Sequence, residues 1–241
     1  MPSVLHTVRD LGRLREIAVV LARHGFGELL QRVGLGGLGW ARTDPGVDAK
    51  STTAVRIRRV LEELGPSFVK LGQIASTRPD LVPADIIEEL RKLQDDVLPV
   101  AFDQMQVELE QQLGMPIAEA FSEFDEVPIA SASIGQVYRA KLRAQEGETG
   151  GDHDVVVKVQ RPNIGSTIER DIDLLYWLAN AIERSIPEAS LYAPVKLVDQ
   201  FHQAINAELD FIQEANNAER FAENLAGMPG VCIPTVHRRA S

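Results

Sequence analysis

The chain has 241 residues, 44% apolar and 25% charged, which is enough for one sizeable domain or two small ones with a real core. Its net charge of −10 argues against the basic stripe that a nucleic-acid interface needs. Its single cysteine, Cys232, excludes an internal disulfide and points to a reducing compartment.

The charge is uneven. Residues 1–59 hold ten Lys/Arg and five Asp/Glu, a balance of +5, while the remainder carries −15. Such a basic beginning can lean on an anionic membrane surface or on the acidic body itself. The five histidines have no zinc-binding spacing, and no metal site is expected from them. The apolar run "IAVVLA" is too short to span a bilayer and runs into Arg23-His24, so neither a signal peptide nor a transmembrane segment is expected.

Residues 4–33 are predicted as one or two amphipathic helices with a stripe of Val4, Val8, Leu11, Leu14, Ala18 and Leu21. The glycine-rich stretches 33–40 and 43–48 form a loop or linker. Residues 51–64 make a helix stopped by Gly65-Pro66. A second helix holds "FVKLGQIAS", with Gly72 among apolar residues and Lys70 and Gln73 on one side. "PADIIEELRKLQDD" is a third helix, and a fourth starts at a capping-box-like Asp103/Gln106 and ends at Gly114.

The texture then changes. Residues 134–142 and 154–160 are short and β-branched, and read as a hairpin with a long polar connection. Helix returns after Pro162 and closes at Pro187, and a long helix is predicted from about Val195 to Leu225. "VCIPTV" (231–236) reads as a last short strand. The order of elements is an α+β arrangement.

Lys158 stands in the mostly apolar strand "VVVKVQ". It is either an edge-strand lysine pointing to water or a phosphate-contacting lysine that needs a glutamate on a following helix. Glu208 and Glu214 are candidates. Six residues of one helix are about 600° of turn, so the two carboxylates diverge by about 120° and suit two cations rather than one. The loop before the first strand has no G-x-G-x-x-G. It offers Ala130, Ser131, Ala132 and Ser133 before the first glycine, Gly135.

Together "KLGQ" (70–73), "ASASIGQVYRA" (130–140), "VVVKVQRP" (155–162) and "ELDFIQEANNAERF" (208–221) resemble, in order and spacing, the UbiB family. These are atypical kinase-like proteins, also called aarF-domain kinases, linked to ubiquinone biosynthesis. The resemblance runs from about Thr53 to the C-terminus.

It implies an atypical protein-kinase-like N-lobe, a small antiparallel sheet plus an αC-type helix, preceded by a helical extension and with the C-lobe absent. The corresponding divisions are 1–50, 51–125 and 126–241. Lys158 would be the catalytic phosphate lysine and Glu214 its partner. Ala130, Ser131, Ala132 and Ser133 would replace the glycine-rich loop in binding nucleotide. Lys70, Gly72 and Gln73 match the family's K-x-G-Q signature, and Glu208 and Asp210 its E-x-D signature. These five residues would gate the active site, with Glu208 holding Lys70 and the glycine allowing close packing against the lobe.

The resemblance further implies ATP with Mg²⁺ as cofactor of a full-length protein. The catalytic-loop aspartate, the metal-binding asparagine and the D-F-G aspartate have no counterpart in this chain; "DFI" at 210–212 is placed inside the expected helix. The expected partners are nucleotide, an anionic membrane surface or quinone-pathway proteins, with no nucleic acid. The location implied is peripheral to the cytoplasmic side of a membrane. The competing expectation is a non-catalytic helical interaction or lipid-associated module.

Overall fold

The computed structural model describes residues 8–35, 51–93, 97–144 and 151–240. Val4 and the glycine-rich linker beyond Leu35 lie outside them. The chain divides into two units, Met1–Asp95 with Gly165–Ala204, and Asp96–Ile164 with Ile205–Ser241. Together they make the α+β class expected from the sequence, with a small antiparallel sheet of a kinase-like N-lobe and helices.

The first unit is helical. It contains α1 (Val8–Arg23), α2 (Gly27–Arg32), α3 (Thr53–Leu64), α4 (Pro66–Ala75) and α5 (Ala84–Leu90). Thr52 caps α3 by accepting from the Val55 amide, and Gly65, at φ 95°, turns the chain into α4, whose first residue is Pro66. Of the predicted α1 stripe, Leu14 and Ala18 are buried with Ile17, whereas Leu11 is 54% exposed. The third predicted helix is shorter than expected, closing at Leu90 with a turn at Arg91 and Lys92.

Gly72 answers to the leucines around it. A Cβ there would meet Leu93 Cδ1 at 2.3 Å and Leu61 Cδ1 at 2.7 Å, so a larger residue needs these leucine side chains to shift. The basic beginning of the chain meets carboxylates of its own unit: Arg23 and His24 both bond Glu63, Arg32 bonds Glu28, and Arg58 bonds Glu62 and Glu89.

Among the described residues of this unit, one ion pair has a buried carboxylate. Arg13 donates to both carboxylate oxygens of Asp171, at 2.8 and 3.1 Å, and to the Leu64 carbonyl at 2.9 Å. Asp171, on α8 (Ile164–Ser185), is 1% exposed. Burial disfavours the Arg13 charge, yet bonding to Asp171 and Glu16 leaves its pKa above the ordinary value. On the same helix, Tyr176 donates to Asp199 of α9 (Pro194–Leu209) at 2.7 Å, and burial with that carboxylate pushes its pKa up to about 12.

The second unit holds α6 (Phe102–Leu113), α7 (Ile117–Ala120) and four antiparallel strands. The strands are β1 (Phe121–Phe124), β2 (Ala130–Ser131), β3 (Gly135–Leu142) and β4 (His153–Gln160). β3 is the spine. It pairs with β4 along its length and with β1 and β2 on its other edge. Met105, Leu109, Phe121, Tyr138, Leu142 and Val159 belong to the core beneath it. Gln136, fully buried, is satisfied by the backbone of Val100 on both sides and by the Tyr138 hydroxyl.

The long helix expected from Val195 to Leu225 is broken. α9 ends at Leu209 and α10 runs from Phe211 to Asn224, with Asp210 between them at φ −86° and ψ 83°. The Asp210 carboxylate accepts from the Gln213 amide at 2.8 Å, a cap that competes with continued helix. The expected strand at 231–236 has no ladder: Val231 closes a turn onto Met228 and Pro234 has no amide hydrogen to donate. α6 starts one residue before the expected Asp103, which bonds the Gln104 amide from within the first turn. Among the described residues no helix is long and apolar enough to cross a membrane.

Removing one partner of a buried ion pair strands the other. Asp171→Ala should therefore destabilise the helical unit by about 3–5 kcal/mol, and Arg13→Leu with Asp171→Leu should cost much less. Urea unfolding of the three proteins checks this; equal losses would contradict it.

Candidate functional site

β4 alternates strictly. Val155, Val157 and Val159 turn towards the core, and Asp154, Val156 and Lys158 stand on the exposed row. Lys158 is thus neither buried in the core nor simply pointing to water. Its Nζ donates to Glu214 Oε2 at 2.5 Å and lies 4.4 Å from the centroid of the Phe211 ring. The side chains are 40% and 58% exposed, so the pair contributes only roughly 0–1 kcal/mol to stability. A contact so weak for folding, yet reached from two elements 56 residues apart, positions a cation rather than a fold.

The break at Asp210 makes that geometry. α10 restarts its hydrogen bonding at the cap, and Glu214 falls in its first turn. Gln160, two residues beyond Lys158, donates its side-chain amide to the Leu209 carbonyl at the end of α9. The end of β4 is therefore fastened on both sides of the break. Glu208 and Glu214 lie on different helices, so the 120° divergence expected of one continuous helix does not describe them. The sequence held the signal: Asp210 with Gln213 is the acid-x-x-Gln spacing of a capping box.

The loop residues take different positions. Ala130 and Ser131 form β2, paired with Val137 and Gln136. Ala132 donates its amide to the Gly135 carbonyl at 2.9 Å, and Ser133 at the tip is 1% exposed. Gly135 is required by close approach. A Cβ would lie 2.7 Å from the Val159 carbonyl oxygen and 3.4 Å from the Phe211 ring.

Lys70, Gly72 and Gln73 are on α4 of the first unit, and Gln73 donates to the Leu93 carbonyl at 3.3 Å. Glu208 and Asp210 belong to the second unit, at the end of α9 and the cap of α10. Among the described residues, no three acid, histidine or cysteine side chains converge as a metal site.

An antiparallel sheet whose strand lysine is ion-paired to a glutamate on a later helix is the arrangement of a kinase-like N-lobe. Residues 92–241 match the ABC1 atypical kinase-like domain. The chain is 35% identical over 238 residues to the probable protein kinase UbiB of Aeromonas salmonicida (strain A449), covering 95% of this chain and 42% of that protein. It is 45% identical over 184 residues to the probable protein kinase UbiB of Pseudomonas fluorescens (strain Pf0-1), covering 76% of this chain and 33% of that protein. The chain belongs to the UbiB family of atypical kinase-like proteins. It spans less than half the length of these relatives.

The two crowded glycines differ in what surrounds them. At Gly135 the obstacle is a backbone carbonyl, so Gly135→Ala should cost about 1–3 kcal/mol. At Gly72 the obstacles are leucine methyls that can shift, and alanine regains about 1 kcal/mol of helix propensity. Thermal unfolding should rank Gly135→Ala as the more damaging; the reverse order would refute this reading of the packing.

Proposed function

We propose that this chain is the nucleotide-binding part of a UbiB-type kinase or ATPase that uses ATP in support of ubiquinone or related quinone-lipid metabolism. The observation that carries the reading is the Lys158–Glu214 pair, exposed, short and poorly suited to any stabilising role. Lys158 would meet the nucleotide phosphates, held in place by Glu214. Ala130 to Ser133 would supply the loop that covers them, with small side chains permitting close backbone approach. Mg²⁺ bound with the triphosphate would neutralise its charge. Among the described residues no cluster of acid, histidine or cysteine side chains is placed to hold it. The protein works at the cytoplasmic face of a membrane, as a peripheral component.

Lys158→Ala tests this directly in the intact protein that carries the chain. Nucleotide binding and ATP turnover should fall by at least about tenfold, since a charge-assisted contact is worth about 1.5–3 kcal/mol. The unfolding temperature should barely move, because the exposed pair contributes so little to folding. An intact protein without ATP turnover, or a Lys158→Ala variant with wild-type turnover, would end the proposal.

Lys70, Gly72, Gln73, Glu208 and Asp210 are assigned a gating role on the strength of the two signatures they form. If Lys70 restricts entry of substrate, Lys70→Ala should raise turnover or autophosphorylation of the intact protein. Unchanged rates in both assays would remove the gate and leave the nucleotide site standing.

A further inference from the structure

Three residues beyond Lys158, Arg161 reaches into the loop between β2 and β3. Its Nε donates to the Ala132 carbonyl at 2.9 Å. Its Nη2 donates to Ser131 Oγ at 2.9 Å and to the Leu98 carbonyl at 3.0 Å. Its own backbone amide donates to the Ile134 carbonyl at 3.0 Å. One residue thus binds three positions of the Ala130–Gly135 turn and the preceding segment at once. That segment is itself fixed to the same region, since the Val97 amide bonds the Ser131 carbonyl and Val100 bonds Gln136.

The direction of these bonds has a consequence for the loop's amides. Every peptide bond here is trans, so the N–H of each peptide unit points opposite to its C=O. Holding the Ala132 and Ile134 carbonyls towards Arg161 turns the amides of Ser133 and Gly135 to the other side. A glycine-rich loop reaches its working conformation through backbone freedom. This one has only Gly135, and Arg161 sets peptide direction instead.

The guanidinium is an apt choice for that task. Its planar fork donates in two directions from fixed angles, which an ammonium on a flexible stem does not. Among the described residues its three side-chain acceptors are two carbonyls and a hydroxyl, all neutral, so what these bonds supply is direction. Partial burial lowers its pKa from the ordinary arginine value, and the group stays charged.

We infer that the Arg161 side chain is the positioning group of the nucleotide loop, fixing the peptide unit at Ala132 and the Ser131 hydroxyl so that the loop is set for a nucleoside triphosphate before it binds. The Ile134 carbonyl is held by the backbone amide of Arg161, a bond common to any non-proline residue there. The inference rests on the nucleotide-binding reading given above.

The test uses Arg161→Lys and Arg161→Ala in the intact protein, titrated with a fluorescent ATP analogue and Mg²⁺, with Lys158→Ala as reference. Amide hydrogen exchange is followed in parallel. Both Arg161 variants should weaken nucleotide binding about tenfold, as loss of one or two hydrogen bonds implies. Exchange should quicken in residues 130–135 and stay unchanged in α10. Arg161→Lys keeps the charge and the aliphatic stem, so if Arg161→Ala does not fold, the lysine variant decides alone. Wild-type affinity in Arg161→Lys, or no change in loop exchange, would overturn the inference. If Lys158→Ala weakens binding and the Arg161 variants do not, the positioning role falls and the nucleotide site survives. If the wild-type protein takes up no nucleotide, both fall together.

Discussion

A strand paired along one edge of a sheet leaves alternate side chains standing clear of the core, and a cation on that row has to be held by something outside the strand. β4 has this problem at Lys158, and the partner comes from far along the chain, in the first turn of α10. The partner can be there only because the helix before it stops. Had α9 continued through Asp210, the direction of Glu214 would have been set by the axis of α9. The Asp210 carboxylate, by taking the Gln213 amide, lets a new helix begin with its own axis and its own first turn. The break leaves backbone groups without helical partners, and two of them are met by side chains: the Gln213 amide by Asp210 and the Leu209 carbonyl by Gln160.

What the sequence made legible was carried by residue type over short runs. The short β-branched run "DVVVKVQ" gave β4 nearly to the residue, and Gly65-Pro66 and Gly114 ended α3 and α6 as expected. Lys158 and Glu214 were paired through motif order, and the distance between their charged atoms then follows from the fold. What stayed hidden had no such run to reveal it. β1 and β2 have four and two residues and exist because β3 offers a free edge, which is a tertiary fact. The strand expected at 231–236 failed for the converse reason: β-branched residues around Pro234 have propensity but no ladder. The break at Asp210 lay in plain view as a capping spacing, overridden by the longer run of helical residues around it.

The helical unit shows a related limit. Gly72 in a helix reads as a weakness until its neighbours are known, and then it is the space into which Leu61, Leu90 and Leu93 pack. The arginines of the first 59 residues read as a basic surface. Once folded, Arg23, Arg32 and Arg58 each meet a carboxylate of the same unit, and Arg13 meets Asp171 in the interior. Net charge along a sequence is therefore a poor guide to the field a unit presents, because pairing removes charges in a pattern that only the fold decides.

The end of β4 concentrates these effects. Within four residues, Lys158 reaches Glu214 in α10, Gln160 reaches the last carbonyl of α9, and Arg161 reaches the loop between β2 and β3. Lys158 and Gln160, two residues apart, share the exposed face of β4 and reach the two sides of the helix break, whereas Arg161 lies just past the strand's end and turns to the loop. They divide the surroundings between them. The helix break, the lysine and the loop are consequently tied to one short stretch of backbone, and a shift of the final turn of β4 would move all three in the same sense. Gly135 lies across from this stretch, paired with Gln160, and a Cβ there would come within 2.7 Å of the Val159 carbonyl oxygen, so the loop's one glycine keeps this approach open. A loop poor in glycine can then still be well placed: its freedom has been traded for attachment to the strand that carries the cation.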